Sequence, residues 1–266
     1  MSEKEITILK IGGSVITDKK GELAARTEVI NRLSEEIQKA DIKNLVIVHG
    51  GGSFGHPTAQ KHGIKAGLKH EAQKVGFAET HHVMTVLNGL VMDSLVWHNI
   101  PAISIAPSCC IITENGRIKT FDGTVIKTYL KMGFAPVLYG DTTLDEKLGF
   151  TVLSGDQILA YLAIKLGANK IVIGVDTDGL YDVDPKIEKD SKLYTHLTLI
   201  ELRKAQDKLN NYISSDVTGG MSGKMAELIP VVEKGIPITM VNAGKANRTY
   251  KALIGAKVEG TIIEKD

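Results

Sequence analysis

The stretch His49-Gly50-Gly51-Gly52-Ser53-Phe54-Gly55-His56 follows directly on the β-branched apolar run 45–48, so a glycine-rich loop begins where a strand is expected to end. Glycine there lets backbone N–H groups approach a phosphate, and the start of a following helix attracts anions. A glycine pair also serves ordinary tight turns. The reading therefore depends on whether other strands end in the same way.

They do. Gly12-Gly13 follows the run 6–11, Gly155 follows Leu153, and Gly179 follows the run 170–175. In an open α/β sheet, ligands bind beyond the carboxyl ends of the strands, and several glycine loops converging on that edge predict a polyphosphate site.

Around these loops the chain alternates strand and helix signals. Strands are expected at 6–11, 45–48, 102–105, 135–138, 170–175, 237–241 and 261–264, and helices at 26–40, 71–98, 125–132, 157–166 and 224–234. This alternation predicts an α/β fold with a parallel sheet covered by helices. Two interruptions, 111–119 around Asn115-Gly116 and 142–152 around 145–149, read as β-hairpins attached to the main sheet that could wall a substrate pocket. There is no Pro-rich linker, low-complexity tract or repeat of 20–50 residues, so 1–266 is expected to be a single domain.

The composition excludes several classes. In 266 residues, 43% are hydrophobic and 24% charged, enough to bury a sizeable core. Lys plus Arg number 32 against 31 Asp plus Glu, which leaves no broad field for nucleic acid or an anionic membrane. Residues 1–9 are too short and too charged for a signal peptide, and no apolar run approaches the ~18 residues a membrane helix needs. A cytoplasmic location is expected. Cys109 and Cys110 are adjacent, a spacing unsuited to a disulfide framework, and they read as two small apolar residues near a strand.

Two nucleotide motifs need testing. Gly50, Gly52 and Gly55 satisfy G-x-G-x-x-G, but the acidic residue due about 20 positions later should end a second strand. Instead Glu71 is expected to begin a helix, and His56-Pro57 to interrupt the helix that the motif should open. The run Gly219-Gly220-Met221-Ser222-Gly223-Lys224-Met225 is not a P-loop either. Thr218 stands at the first glycine position and Met225 replaces the Mg-binding hydroxyl.

Taken together, Lys10-Ile11-Gly12-Gly13-Ser14, His49 to His56, Ser154-Gly155-Asp156 and Asp216-Val217-Thr218-Gly219-Gly220-Met221 resemble the amino-acid kinase superfamily in order and approximate spacing. The Gly-Ser-Phe-Gly-His ending and the Ile16-Thr17-Asp18-Lys19 extension look like its isopentenyl phosphate kinase branch, with His56 the discriminating residue. Fosfomycin kinases, which phosphorylate a phosphonate, are a neighbouring branch. The resemblance implies a three-layer αβα sandwich with added β-hairpins, a lobe of about 1–166 that binds the acceptor, and a lobe of about 167–266 that binds ATP. It also implies a homodimer, and Mg²⁺ entering with ATP. A non-catalytic nucleotide-binding sensor or storage protein on the same fold is the reading from a different class.

The resemblance gives the residues their roles. Lys10 and Lys224 would meet the ATP phosphates, and Lys19 the transferring group, all three as catalytic cations. Asp156 would hold the lysines in place. Gly12, Gly13, Ser14, Gly52 and Gly220 would supply backbone contacts to ATP, while Gly51, His56 and Gly155 would contact the acceptor phosphate. Val175-Asp176-Thr177-Asp178-Gly179-Leu180-Tyr181, followed by Asp184, resembles the nucleotide-binding loop, with Asp176, Tyr181 and Asp184 as its contacts.

Chemistry favours the same residues. A phosphate monoester acceptor has a second pKa of about 6, so its attacking oxygen is already ionised and needs no general base. The obstacle is charge, so cations should outnumber catalytic carboxylates. Most lysines are solvated surface residues, but Lys10 sits in an apolar run that offers no reason for an unpaired ammonium unless an anion meets it. Asp156 has an alternative reading as an acid at a helix N-terminus. Phe77, Met84 and Leu87 on the long helix, facing Leu153, could line an apolar pocket for the isopentenyl tail, or simply fill the core. His81 and His82 should face different sides of that helix and no H-E-x-x-H occurs, so no protein metal site is assigned.

Overall fold

The computed structural model of the chain describes residues 5–18, 21, 23–188, 190–212 and 220–266, the side chains of 209–212 excepted. In chain order the elements are β1 (Thr7–Ile11), α1 (Gly13–Ile16), α2 (Thr27–Ala40), β2 (Leu45–His49), α3 (Gly52–Lys61), α4 (Gln73–Trp97), β3 (Ala102–Ser104), β4 (Ile111–Glu114) and β5 (Arg117–Phe121). There follow α5 (Thr124–Lys131), β6 (Ala135–Tyr139), β7 (Asp141–Asp145), β8 (Gly149–Leu153), α6 (Gly155–Leu166), β9 (Lys170–Val175), β10 (Leu180–Tyr181) and β11 (Leu193–Tyr194). The last are β12 (His196–Thr198), α7 (Leu199–Tyr212), α8 (Gly220–Glu233), β13 (Ile238–Asn242), α9 (Arg248–Leu253) and β14 (Thr261–Glu264).

An eight-stranded sheet in the order β12-β14-β13-β9-β1-β2-β6-β3 forms the middle layer. The central strands β13, β9, β1, β2 and β6 run parallel, and only the β13–β14 pair is antiparallel. The predicted three-layer α/β sandwich is therefore present.

Because side chains alternate across a strand, β1 divides its residues between two cores. Ile8 packs with α5, α6, α7 and α8 on one face, while Leu9 and Ile11 pack with α2, α4 and α9 on the other. Lys10 shares the face of Ile8, one rung nearer the carboxyl edge, and so points toward the start of α6. Strand periodicity thus sets the direction of this lysine.

Three expectations change. The two hairpins are present as β4–β5 and β7–β8, but they pair with each other through a parallel β4–β7 ladder and form a separate four-stranded sheet, β5-β4-β7-β8. The helix expected to be broken at His56-Pro57 runs through Pro57 as α3. Proline there removes one N–H from the helix ladder, while Phe54 and Ala59 bury their side chains and Thr58 Oγ1 donates to Phe54 O at 2.9 Å. Cys109 and Cys110 are both exposed beside β4 rather than packed as small apolar groups.

The tip of the β4–β5 hairpin is tied down by Asp145. Its Oδ1 accepts from the N–H groups of Asn115 (3.1 Å), Lys147 (2.9 Å) and Leu148 (2.8 Å). Its Oδ2 accepts from Gly116 N (2.7 Å) and Thr113 Oγ1 (2.8 Å). Burial alone would raise this carboxyl's pKa, but the five donors hold it well below the usual carboxylate range. A depressed folded pKa contributes stability that is complete above the unfolded value of about 3.9 and disappears as pH falls through the folded one. Asp145→Asn turns an amide N–H toward backbone N–H donors and should cost about 2 kcal/mol at pH 7. Denaturant melts of both proteins from pH 7 to pH 3 check this, the parent losing the difference only as pH drops below about 4. A deficit that persists unchanged at pH 3 would count against the assignment.

Candidate active site

The parallel strands β1, β2, β6 and β9 end on one edge, and there the glycine loops meet. Gly12 N donates to Gly174 O at 2.8 Å and Gly50 N to Ile11 O at 2.9 Å, which ties the loop after β1 to the end of β9 and the loop after β2 to the end of β1. The first turns of α1 and α3 begin side by side. A Cβ on Gly13 would lie 2.1 Å from Gly52 N, and Gly52 itself has a φ of +49°, so both positions exclude side chains. Thr17 closes the junction, its Oγ1 donating to Gly13 O at 2.8 Å and accepting from Ser53 N at 3.0 Å. Sequence offered no signal for that role.

Asp156 lies in the first turn of α6, behind an N-cap in which Ser154 Oγ accepts from Gln157 N at 3.1 Å. The acid at the helix start also bridges two lysines. Lys10 Nζ is 2.8 Å from Asp156 Oδ1, and Lys224 Nζ, from α8, is 3.0 Å from Oδ2. Burial would raise the Asp156 carboxyl's pKa, but the two ammoniums overcome it and hold the group ionised far below the usual range. Lys10 is only 2% exposed. Burial lowers its pKa, Asp156 opposes that shift and Lys224 adds to it. One carboxylate between two ammoniums leaves a net positive cluster, the arrangement that a polyphosphate requires.

His56 projects from α3 and is exposed on its open side, while protein atoms crowd the rest of the ring. That crowding is the largest cause lowering its pKa, followed by Lys224 and Lys10, with Asp156 opposing. Its imidazole therefore stays neutral near pH 7 and feels the charges of the whole cluster. Gly51 and Gly155 belong to the same edge. A Cβ on Gly155 would lie 3.1 Å from His49 O.

The remaining predicted residues are more dispersed. Ser14 is half-buried in α1, and Gly220 opens α8. Asp176, just beyond β9, pairs with Lys186 Nζ at 2.5 Å. Tyr181 belongs to the short β10, and Asp184 Oδ1 accepts from Lys186 N at 2.9 Å. Lys19 lies outside the described residues, as do Asp216, Val217, Thr218 and Gly219.

The apolar wall differs from expectation. Phe77 meets Phe150 with ring centroids 5.1 Å apart and packs with Val152, whereas Leu153 belongs to the core on the other side of the sheet from Met84 and Leu87. The two-residue period of β8 separates them. Met84 keeps a place near the site, since a Cβ on Gly51 would lie 2.9 Å from its Sδ.

Two polar arrangements went unread in the sequence. His49, fully buried, stacks on Tyr139 at 5.4 Å and holds Asn88 Oδ1 through Nε2 at 3.2 Å. His81 meets the buried Asp141 at 3.0 Å, while His82 faces solvent. Among the described residues there is no group of three or more His, Cys, Asp and Glu side chains placed to hold a metal ion. No helix among them is long and apolar enough to cross a membrane.

Comparison with known proteins gives the same picture. The chain is 39% identical over 263 residues to an isopentenyl phosphate kinase of Methanothermobacter thermautotrophicus, covering 96% of this chain and 98% of that protein. It is 36% identical to an isopentenyl phosphate kinase of Methanocaldococcus jannaschii, covering 97% and 98%. A crystal structure of an isopentenyl phosphate kinase superposes with a TM-score of 0.86 at 36% identity, over 97% of this chain and all of that one. An isopentenyl phosphate kinase in a substrate complex gives 0.80 at 30% identity, with the same coverage of both chains. The model of the amino acid kinase family matches residues 5–242, a span that carries the glycine loops, Lys10, Asp156 and Lys224, and on that evidence the chain belongs to the amino acid kinase family.

Proposed function

We infer that this chain is an ATP-dependent kinase that phosphorylates isopentenyl phosphate to isopentenyl diphosphate, a step that supplies isoprenoid precursors. The observation that carries the reading is the Lys10–Asp156–Lys224 cluster, with Lys10 buried, beside paired glycine loops, in a chain whose relatives of that name match it over almost its full length. The acceptor's phosphate oxygen attacks the γ-phosphorus of ATP as the bond to the β,γ-bridging oxygen breaks, and ADP leaves. The acceptor oxygen is ionised already, so the protein's work is positioning and charge neutralisation.

We assign the residue roles as follows. Lys10 and Lys224 meet the ATP phosphates, held in register by Asp156, while the N–H groups of Gly12, Gly13, Ser14, Gly52 and Gly220 line the phosphate path. His56, with Gly51 and Gly155, holds the acceptor phosphate. Lys19, by family resemblance, reaches the transferring group. Asp176, Tyr181 and Asp184 contact ATP from an ATP lobe of about 167–266, and an acceptor lobe of about 1–166 faces it. Mg²⁺ would arrive on ATP and neutralise phosphate charge, bound by phosphate oxygens and water with few protein ligands. The donor set present, lysines and backbone N–H groups, fits such a phosphate-borne ion.

The chain would work in the cytoplasm as a homodimer. In support, α4 leaves the apolar side chains of Val75, Val86, Val96 and Trp97 exposed, area of the kind that a second subunit covers. The function is tested by ADP release from ATP with isopentenyl phosphate, a fosfomycin-type phosphonate, acetylglutamate and UMP as acceptors, with the product identified by phosphorus NMR. Preferred turnover of isopentenyl phosphate to a diphosphate is expected. Turnover of the phosphonate alone would reassign the acceptor, and nucleotide binding without any transfer would favour a sensor.

A further inference from the structure

The tip of the β4–β5 hairpin touches both helices that carry the lysine–aspartate cluster. Asn115 and Gly116 have φ values of +49° and +76°, so the strands are joined by a tight two-residue turn, and Asp145 fixes the N–H groups of both. Two contacts leave this anchored tip. Gln157, the residue after Asp156, is buried. Its Nε2 donates to Gly116 O at 3.0 Å and its Oε1 accepts from Ile118 N at 2.7 Å. Arg117 forms a fork with Glu227 of α8, one guanidinium nitrogen donating to Oε1 and the other to Oε2 at 2.9 Å. Glu227 lies one helical turn beyond Lys224, on the same side of α8.

These contacts differ from ordinary surface decoration. The Arg117 side chain is 65% exposed and that of Glu227 16%, and an ion pair whose guanidinium is open to water adds little to folding stability. What a two-bond fork does supply is direction, since it fixes the distance and the rotation of its partner. On one side of the tip stands the residue adjoining Asp156, and on the other the turn that follows Lys224. The hairpin belongs to the half of the chain that precedes β9, and α8 to the half that follows it. The tip therefore spans the two halves where the cluster needs them registered.

We propose that the β4–β5 tip is the positioning element of the active site, with Gln157 setting α6 and the Arg117–Glu227 fork setting α8, so that Lys224 stays on Asp156 and both ammoniums address one anion. Arg117, Glu227 and Gln157 are positioning residues that act through Lys224 and Asp156. The inference rests on the kinase reading for the identity of that anion, the phosphates of ATP, and on geometry alone for the rest. A displacement of about 1 Å in a group that neutralises a transferring phosphoryl can cost up to a hundredfold in rate. Arg117→Ala should therefore lower kcat by about tenfold, weaken binding of a non-hydrolysable ATP analogue several-fold, and leave the acceptor KM unchanged.

The test is a cycle of Arg117→Ala, Lys224→Ala and the double variant, read by steady-state kinetics and by calorimetric binding of the ATP analogue. If Arg117 acts through Lys224, its loss in the Lys224→Ala background changes neither quantity further. The charge-exchanged pair Arg117→Glu with Glu227→Arg should recover most of the lost rate, and Arg117→Lys, which keeps the charge but not the fork, only part. Thermal melts of every variant separate these effects from unfolding. Additive losses in the double variant, or an Arg117→Ala protein with parental kcat and parental analogue affinity, would overturn the proposal. Analogue binding needs no acceptor, so a failure to turn over isopentenyl phosphate would end the substrate reading and leave this result standing.

Discussion

Asp156→Asn is expected to reduce kcat by about 10²–10³ while leaving the acceptor KM within a few-fold of the parent. The substitution keeps shape and removes the one negative charge between Lys10 and Lys224. Lys10 is buried, and burial already pulls its pKa down against the attraction of Asp156. Without that attraction, desolvation and the nearby Lys224 ammonium act unopposed, and Lys10 loses its proton more readily. Cationic stabilisation of the transferring group is then lost, a contribution of about 3–4 kcal/mol where one preorganised donor is removed. The pH–rate profile should move as well. A lysine required in its protonated form limits the rate at high pH, so lowering its pKa shifts the alkaline limb to lower pH. Kinetics from pH 6 to pH 10 on both proteins decide the matter. A variant with kcat within fivefold of the parent, or an unmoved alkaline limb, would remove Asp156 from the role of lysine holder.

The second large effect should fall on a different constant. His56→Ala is expected to raise the acceptor KM about tenfold to a hundredfold, the worth of one charge-assisted hydrogen bond, and to change kcat by less than about threefold. On the proposed role that contact would exist before the transition state, and uniform binding lost from both states appears in KM alone. Its imidazole is held neutral by crowding and by Lys224 and Lys10, so it offers a hydrogen bond without adding another full charge to the cluster. An unchanged acceptor KM would contradict the assignment, and a fall in kcat alone would move His56 to the transferring group.

The two variants separate what Lys10, Asp156 and Lys224 do from what His56 does. Their separation follows from placement. Lys10 and Asp156 meet on the α6 face of the sheet, whereas His56 comes from α3, whose first turn is pressed against the loop after β1.

Much of this was legible without coordinates, for local reasons. Apolar runs of β-branched residues and periodic helices are written in neighbouring positions, so the alternation that makes a parallel α/β sheet could be read directly, as could the glycine loops at strand ends. Asn115-Gly116 announced its hairpin because few other pairs accept two successive positive φ values. Lys10 stood out because an apolar strand gives an ammonium no partner of its own. The roles proposed for His56 and Lys224 come from family resemblance, not from spacing.

Neighbouring residues alone were enough to set the kind of sheet, the edge on which the loops gather and the residue types they carry, because these depend on short-range periodicity and on the conformational freedom of glycine. Which charges meet depends instead on how the elements pack. Asp156 becomes a bridge because α6 and α8 pack side by side and bring Lys224 to it. Leu153 leaves the expected pocket because β8 turns it to the opposite core. The hairpins join each other instead of the main sheet because β4 finds β7 as a parallel neighbour, and Arg117 reaches Glu227 only across that arrangement. Such contacts link residues far apart in the chain, and their energies depend on burial and mutual orientation, which no local pattern of residues encodes.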